Sequence, residues 1–411
     1  MSTKAERKQL DATVAAFHAN YASPANWGYE RWHGSLYQAL ARPTRYAALV
    51  NHYVPRSDFD KVLAAVSGEN IRPIQLPKVP SDAEENADSG PRLLLLQRVA
   101  PAAAPATDEE GSHELSANQD EVFLFPTPQP IATPSNGGAA LLSHWNMDAA
   151  SALGAHMLAV RPNDRVLDLC AAPGGKSLAL AQMIFPHLHA SAAATSSAPA
   201  QVGCLHSNEV DAARNKRLAN NLRSYLPGSL FASGAIRVLR LDAAGADGSG
   251  ARGTVAAKLP CGAGGYDRVL LDAPCSSERH LIHAREVARM WRKGSSKALA
   301  KLQAELLMTA LRAVKVGGRV VYSTCSIETG ENDGVVERVL AAVEKERRKV
   351  GSGWDLRFES GRAARGMEVD AVLERLTEET EYGRIAVPDH PGGGQWGPLF
   401  FCVITKVARK R

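Results

Sequence analysis

Two thiols carry the most distinctive chemistry this sequence offers. Cys275 stands in Asp272-Ala-Pro-Cys-Ser276 and Cys325 in Ser323-Thr-Cys-Ser326. Each closes a short apolar run of the kind that forms a buried strand, Tyr266–Leu271 and Arg319–Ser323. A single cysteine is more often a small buried hydrophobe. Two at the ends of neighbouring strands, each flanked by polar residues, point instead to a shared cleft. A thiolate there is a nucleophile. One reaction that needs such a group is alkylation of carbon 5 of cytosine. That carbon is too poor a nucleophile until a thiolate adds to carbon 6 and creates an enamine. A base then removes the carbon-5 proton and the thiol is eliminated. Asp272 lies where it can hydrogen-bond the edge of the ring.

A second constellation surrounds the first strand, Arg165–Leu169. It runs into Asp168-Leu-Cys-Ala-Ala-Pro-Gly-Gly-Lys176 and then a helix, Lys176–Met183. Gly174 and Gly175 let the backbone approach a ligand, and the helix N-terminus offers free N–H groups. Neither GxxxxGK[ST] nor GxGxxG is present. The acids add what the glycines alone do not: Asp168, Glu209, Asp242 and Asp272 close four successive strands. Any one of them could be a helix cap. Four in one layer suit a nucleoside, with Glu209 for ribose hydroxyls and Asp242 for an adenine amino group. S-adenosylmethionine (SAM) fits better than a dinucleotide, because no pyrophosphate needs cradling.

The elements that position these groups alternate. Val202–Ser207, Ile236–Leu241 and Leu399–Val407 read as further strands. Ala212–Tyr225, Leu299–Val316 and Val335–Glu346 read as helices, with Gly317-Gly318 ending the second. Strand and helix in alternation predict an α/β fold: a doubly wound, mostly parallel, seven-stranded Rossmann-like sheet. Residues 5–64 read as helical from Leu10, Val14, Phe17 and then Leu36, Leu40, Tyr46, Leu49. Residues 137–160 read as helical up to Arg161-Pro162. Residues 73–118, rich in Pro, Ala, Ser and Asp around Leu93–Leu96, read as a linker. The expected partition is a helical extension over 1–72, the linker, and one catalytic domain over 119–411. Ala190–Gln201 and Ala243–Gly265 are low-complexity surface insertions.

Bulk properties narrow the classes. The chain has 411 residues, 45% hydrophobic and 22% charged, enough for a core without disulfides or metal. Its six cysteines show no CxxC spacing, so no metal site is expected. No apolar run approaches the ~18 residues of a membrane span. A net charge of +5 is compatible with a polyanionic partner. The N-terminus has no signal-peptide core, and its early acids, Glu6 and Asp11, do not fit an organelle transit peptide.

DLCAAPGGK, DAPCS, YSTCS followed by Glu331-Asn332, and the closing GPLFFCVITK together resemble the Sun family of RNA cytosine-5 methyltransferases. The likeness spans about Asn146 to Lys406. Phe123-Leu-Phe-Pro126, Asn146-Met-Asp-Ala-Ala150 and Glu278-Arg-His280 resemble its mitochondrial rRNA-methylating branch. The resemblance implies that SAM is bound by Cys170, Ala171, Ala172, Pro173, Gly174, Gly175 and Lys176, with Glu209, Arg214, Asp242 and Asp272. It implies that Cys325 attacks and Cys275 assists product release. Spacing alone does not choose between the thiols, since DNA cytosine-5 methyltransferases attack from the Pro-Cys position. Resemblance also implies rRNA as target, the mitochondrial matrix as location and a protein partner for targeting; otherwise the compartment is cytoplasmic or nuclear. No RNA-binding PUA module is recognisable.

From Arg279 to Lys301 the chain carries Arg279, Arg285, Arg289, Arg292, Lys293, Lys297 and Lys301 around Trp291. Basic side chains with an aromatic beside a cleft suit RNA backbone and base contacts. Lys406 and Arg409–Arg411 add charge. Two rival readings are a ribosome-assembly factor that uses the fold as an RNA scaffold, and an amino-group methyltransferase, which has no use for a second thiol. Transfer RNA is the alternative target.

Overall fold

The computed structural model describes residues 3–64, 70–79, 93–99, 125–133, 136–192, 203–244, 258–261, 264–350, 353–364, 366 and 368–409. Most of the expected linker, and the centres of both low-complexity insertions, lie outside them.

Three short antiparallel strands near the N-terminus come first: β1 (Tyr46–Val50), β2 (Asn70–Pro73) and β3 (Leu95–Val99). A small hairpin follows, β4 (Pro130–Ala132) with β5 (Ala140–Leu142), and then β6 (His144–Asp148). Strands β2-β3-β1-β6 form one sheet in that order. This corrects three readings. Tyr46 and Leu49 are in a strand, not a helix, because Arg42-Pro43 ends the preceding helix and the next run is apolar on both faces. Of the apolar residues at 93–96, Leu95 and Leu96 begin β3, which pairs with β1, so the expected linker contains sheet. Residues 140–142 and 144–148 are also strand. The helix begins only at Ala149, where the Asp148 carboxylate accepts a bond from Ala150 N–H.

The large sheet has nine strands. β7 (Arg165–Asp168), β8 (Cys204–Asn208), β9 (Ile236–Leu239), β10 (Tyr266–Asp272) and β11 (Val314–Thr324) are all parallel, in the order β9-β8-β7-β10-β11. The chain ends in β15 (Leu399–Ala408), antiparallel to β11. Its far edge is shared. β14 (Arg384–Ala386), itself paired with β13 (Glu378–Glu379), takes residues 399–401, and β12 (Trp354–Phe358) takes 404–408. The core is thus the mostly parallel doubly wound sheet of the sequence reading, with an added edge. The order turns back between β7 and β10, where such sheets open a crevice.

Helices cover both faces. Ala149–Met157, Gly175–Ile184 and Ala212–Tyr225 share one apolar cluster with Val166, Leu205 and Val321. Ser295–Ala313 and Asp333–Val350 pack on the other through Leu307, Leu311, Val335 and Val339. The first helix, Lys4–Tyr21, joins this second face. Its Phe17 is fully buried, edge-on to Tyr21, Trp32 and Trp291. Truncating a fully buried phenylalanine removes its transfer energy and leaves a cavity, so Phe17→Ala should cost about 3–5 kcal/mol. Urea unfolding measures the loss. Limited proteolysis should show cleavage appearing first in the N-terminal 40 residues.

Candidate active site

The carboxyl ends of β7, β8 and β9 are tied by one side chain. Asn208 donates to the carbonyls of Leu169 (3.1 Å) and Leu241 (3.0 Å) and accepts from Leu241 N–H (2.8 Å). It fixes the layer in which Asp168 and Glu209 stand. Asp168 is buried. Ser177 Oγ donates to its Oδ2 at 2.7 Å, while Oδ1 has no partner. Burial pushes its carboxyl up to about 7, against the Ser177 bond, and neighbouring Asp272 adds to the rise. The Gly-rich turn is held from outside by Arg214, which donates to Ala172 O (3.2 Å), and Asn221, which donates to Pro173 O (2.8 Å). Gly174 has φ +121°, and a Cβ on Gly175 would lie 2.5 Å from the indole nitrogen of Trp145. Glycine is required at both by the backbone path and by space.

The turn opens on a cleft of about 210 Å³ lined by Trp145, Asn146, Met147, Ser151, Asp168, Cys170–Pro173, Gly175, Lys176 and Asp272. Asn146 Oδ1 is a second buried, unpartnered oxygen here. Lys176 Nζ donates to Asp272 Oδ2 at 2.7 Å, and Ser323 Oγ donates to Oδ1 at 2.9 Å. Burial pulls the lysine down, but Asp272 more than offsets this and leaves its pKa raised. Three expected ligand residues stand beside this cleft rather than in its wall. Glu209 accepts from Asp211 N–H (3.0 Å) and pairs with Arg214 at 3.3 Å, and Asp242 is exposed.

The two thiols meet. Cys275 Sγ and Cys325 Sγ lie 3.1 Å apart, and Ser277 Oγ is 3.1 Å from Cys325 Sγ and 3.5 Å from Cys275 Sγ. Cys325 is exposed and Cys275 half-buried. Hydrogen bonds from Cys275 first, and then from Ser277, hold the Cys325 pKa below the ordinary thiol value despite burial of its surroundings. The same contact with Cys325 pushes Cys275 well up. The contact thus moves the two thiols in opposite directions, Cys325 down and Cys275 up. Ser277 reaches them from a left-handed backbone, φ 50° and ψ 53°, which is strained for a residue with a side chain.

A family model described as 16S rRNA methyltransferase RsmB/F matches residues 155–352. A mitochondrial tRNA (cytosine(34)-C(5))-methyltransferase of Danio rerio is 35% identical over 298 residues, covering 70% of this chain and 67% of the relative. The 5-cytosine rRNA methyltransferase NSUN4 of Xenopus tropicalis is 30% identical, covering 91% of this chain and 86% of its own. This chain belongs to the RsmB/F methyltransferase family. The fold likeness agrees: NSun6 from Pyrococcus horikoshii superposes with a TM-score of 0.53 at 16% identity, over 95% of this chain and 98% of that one.

In this RsmB/F chain the Glu331-Asn332 pair clamps both thiol-bearing loops. Glu331 accepts from Ser276 N–H (3.1 Å) and Gln303 Nε2 (2.8 Å), and its Oε1 lies 2.6 Å from Ser276 Oγ. Asn332 accepts from Thr324 Oγ1 (2.6 Å) and donates to Ser326 O (3.0 Å). The N-terminal segment grips both thiol-bearing segments from the other side. Trp27 Nε1 donates to Ile327 O (2.9 Å), Asn20 to Glu328 (2.9 Å) and Tyr21 OH to Glu278 (2.7 Å). The sequence pattern held no sign of these partners, since a single Asn, Trp or Tyr carries no periodic signal.

The basic segment needs correction. Arg279 is buried, its guanidinium bonded to the carbonyls of Arg42, Pro43 and Gly397 and 3.7 Å from Asp148, so it braces the interior and offers nothing to RNA. Trp291 is buried against Phe17 and is no stacking platform. Lys406 is also internal, donating to Leu311 O and Val314 O at 2.9 Å over the ring of Trp354. Arg285, Arg289, Arg292, Lys293, Lys297 and Lys301 remain exposed. A charge-rich turn and a packed turn have the same composition, and only the packing separates them. Among the described residues, no cluster of His, Cys, Asp or Glu could hold a metal ion, and no helix is long and apolar enough to cross a membrane.

Because Cys275 is the chief cause of the lowered Cys325 value, Cys275→Ala should raise the Cys325 pKa. Alkylation of Cys325 by iodoacetamide, followed against pH, should shift its midpoint upward. Ser277→Ala should shift it less.

Proposed function

We propose that Cys325 is the attacking thiolate of a SAM-dependent RNA (cytosine-5)-methyltransferase, that Cys275 assists release, and that Asp272 orients the base. The reaction class, transfer of a methyl group to carbon 5 of cytosine in RNA, follows from membership of the family. The observation that carries the division of labour is the 3.1 Å sulfur–sulfur contact with opposite pKa shifts.

The residues present suit SAM. Two buried oxygens without partners, on Asp168 and Asn146, face a cleft whose turn admits no side chain at Gly175. They are ready acceptors for the amino and hydroxyl groups of such a ligand. Cys170, Ala171, Ala172, Pro173, Gly174, Gly175 and Lys176 would hold it, with Glu209, Arg214 and Asp242 at the neighbouring strand ends. When bound, SAM supplies an electrophilic methyl group to the cleft.

The chain's own groups do the rest. Cys325 adds to carbon 6 and the ring's electron pair moves to carbon 5. Asp272 keeps lone pairs free beyond those used by Lys176 and Ser323, so it can still accept from the base edge. Once Cys325 is a thioether it is no longer the partner that raises Cys275. The Cys275 thiol then becomes easier to deprotonate at the stage when the carbon-5 proton must leave. Loss of that proton restores the ring and expels Cys325. In this reading the covalent adduct itself switches on the base.

We read the target as rRNA, in the mitochondrial matrix, reached with the help of a protein partner. Relatives named for mitochondrial tRNA and for rRNA stand at similar identity, which keeps tRNA as the second reading. Arg285, Arg289, Arg292 and Lys293 would contact phosphates. An essential role as an assembly scaffold predicts that Cys325→Ala still supports ribosome assembly.

Cys325→Ala should abolish methylation, and Cys275→Ala should accumulate a covalent protein–RNA adduct visible on denaturing gels. Unchanged methylation by Cys325→Ala would overturn the assignment. Bisulfite sequencing of organelle and cytosolic RNA after depletion names the cytosine. Neutralising Arg289 or Arg292 should weaken RNA binding. Each phosphate left without its cation should lower the slope of log affinity against log salt by roughly one.

A further inference from the structure

Behind the thiols lie two buried carboxylates that the reaction does not use. Glu278 and Glu331 are both fully buried, and among the described residues no cation pairs with either. A single hydroxyl joins them. Ser276 Oγ makes a very short bond to Glu278 Oε1 and lies 2.6 Å from Glu331 Oε1. A serine hydroxyl has one hydrogen and can donate to only one of the two. The other contact must be donated by the carboxyl itself. Two uncompensated, buried carboxylates this close do not both ionise.

The remaining bonds assign the proton. Glu278 is surrounded by donors: Tyr21 OH (2.7 Å), Ser326 Oγ (3.0 Å), Ile327 N–H (3.1 Å) and Ser276 Oγ. All its oxygens accept, so it is the carboxylate. Glu331 accepts at Oε2 from Ser276 N–H and Gln303 Nε2, which leaves Oε1 free to carry a hydrogen to Ser276 Oγ. We infer that Glu331 is a protonated positioning residue: through Ser276 it passes one hydrogen bond to ionised Glu278 and so locks the Cys275 loop to the Cys325 loop and to the first helix. The inference rests on the reading of Cys275 and Cys325 as the reacting pair, because it is their loops that are locked.

Other groups facing the pair do not supply an alternative proton donor. Tyr21 and Tyr322 are held far up by burial, Glu328 is also raised by burial, and the thiols reach Ser277 rather than Ser276. Burial, followed by repulsion from Glu278, lifts Glu331 to about 7. The sign follows. A carboxyl raised by folding contributes most below its ordinary value, and its contribution is lost as pH rises through about 7. Above that, two adjacent anions push the Ser276 loop away from Glu278.

The test is an asymmetry between two amides. In Glu331→Gln the amide N–H₂ replaces the carboxyl hydrogen toward Ser276 Oγ, and the amide oxygen keeps Ser276 N–H and Gln303. In Glu278→Gln an N–H₂ must face a donor whichever way it turns. With the full-length chain and iodoacetamide as probe, Glu331→Gln should alkylate at Cys325 within about twofold of wild type at neutral pH. It should also lose the step in the pH profile that wild type shows near pH 7, leaving only the titration of Cys325 itself. Glu278→Gln should depart from the wild-type rate by roughly tenfold at every pH. Carbon-13 NMR of wild-type protein labelled at glutamate carboxyls should show one buried carbon titrating near neutral pH, absent from Glu331→Gln. The titrating carbon is read in the wild-type protein and needs no thiol chemistry. Equal effects of the two amides, or no glutamate carbon titrating near neutral pH, would overturn the inference. If instead methylation survives in Cys325→Ala while the glutamate titration is present, the thiol assignment fails and the proton assignment stands.

Discussion

The site depends on one register. Strands β10 and β11 run parallel, with Asp272 opposite Ser323. Each strand then turns toward its cysteine, through Ala273-Pro274 to Cys275 after one and through Thr324 to Cys325 at the end of the other. Parallel strands end on the same side of a sheet. Two thiols from segments fifty residues apart are thereby delivered to one point with no covalent link. A shift of the pairing by one residue would turn one side chain to the opposite face and separate the sulfurs.

Holding sulfurs at 3.1 Å requires more than strand pairing, because both cysteines lie beyond the ladder. The chain supplies a polar clamp in which every member touches a loop and not a thiol. Glu331 and Asn332 act from the start of one helix, Gln303 from the face of another, and Tyr21, Asn20 and Trp27 from the N-terminal segment. Buried polar networks of this kind stabilise one arrangement strongly only when each group is satisfied. The N-terminal helix therefore helps to hold the thiol-bearing loops, although none of its side chains reaches a thiol. Its aromatic anchor, Phe17, also buries Trp291, which ties the basic segment to the same frame.

The electrostatics follow from position. Asp168, deep at the end of β7, is raised by burial, as is Glu331 behind the thiols. Asp272, with Lys176 and Ser323 on its two oxygens, is the acid given direct partners at the mouth of the cleft. The thiols divide one perturbation between them, one lowered and one raised. Groups of the same type thus receive different tasks from their surroundings.

Much of this was legible in the residues. Alternating apolar runs and helical stripes predicted the parallel sheet, the helices Gly175–Ile184 and Ala212–Tyr225 within a residue or so, and a cleft shared by Cys275 and Cys325. These features are local: period, turn chemistry and strand ends are written in contiguous segments. What failed was where local signals are ambiguous. Tyr46–Val50 is a short apolar run and His144–Asp148 a mixed polar and apolar one, and both become strands because each finds the other across roughly a hundred residues. Arg279 and Trp291 have the composition of an RNA contact and are buried by Phe17, Asp148 and Gly397. The sequence by itself determined the sheet, the strand-end acids and the two thiols. Only the tertiary structure decided which basic side chains face outward, which polar residues hold the loops, and which carboxyl keeps a proton, because each depends on contacts between segments distant along the chain.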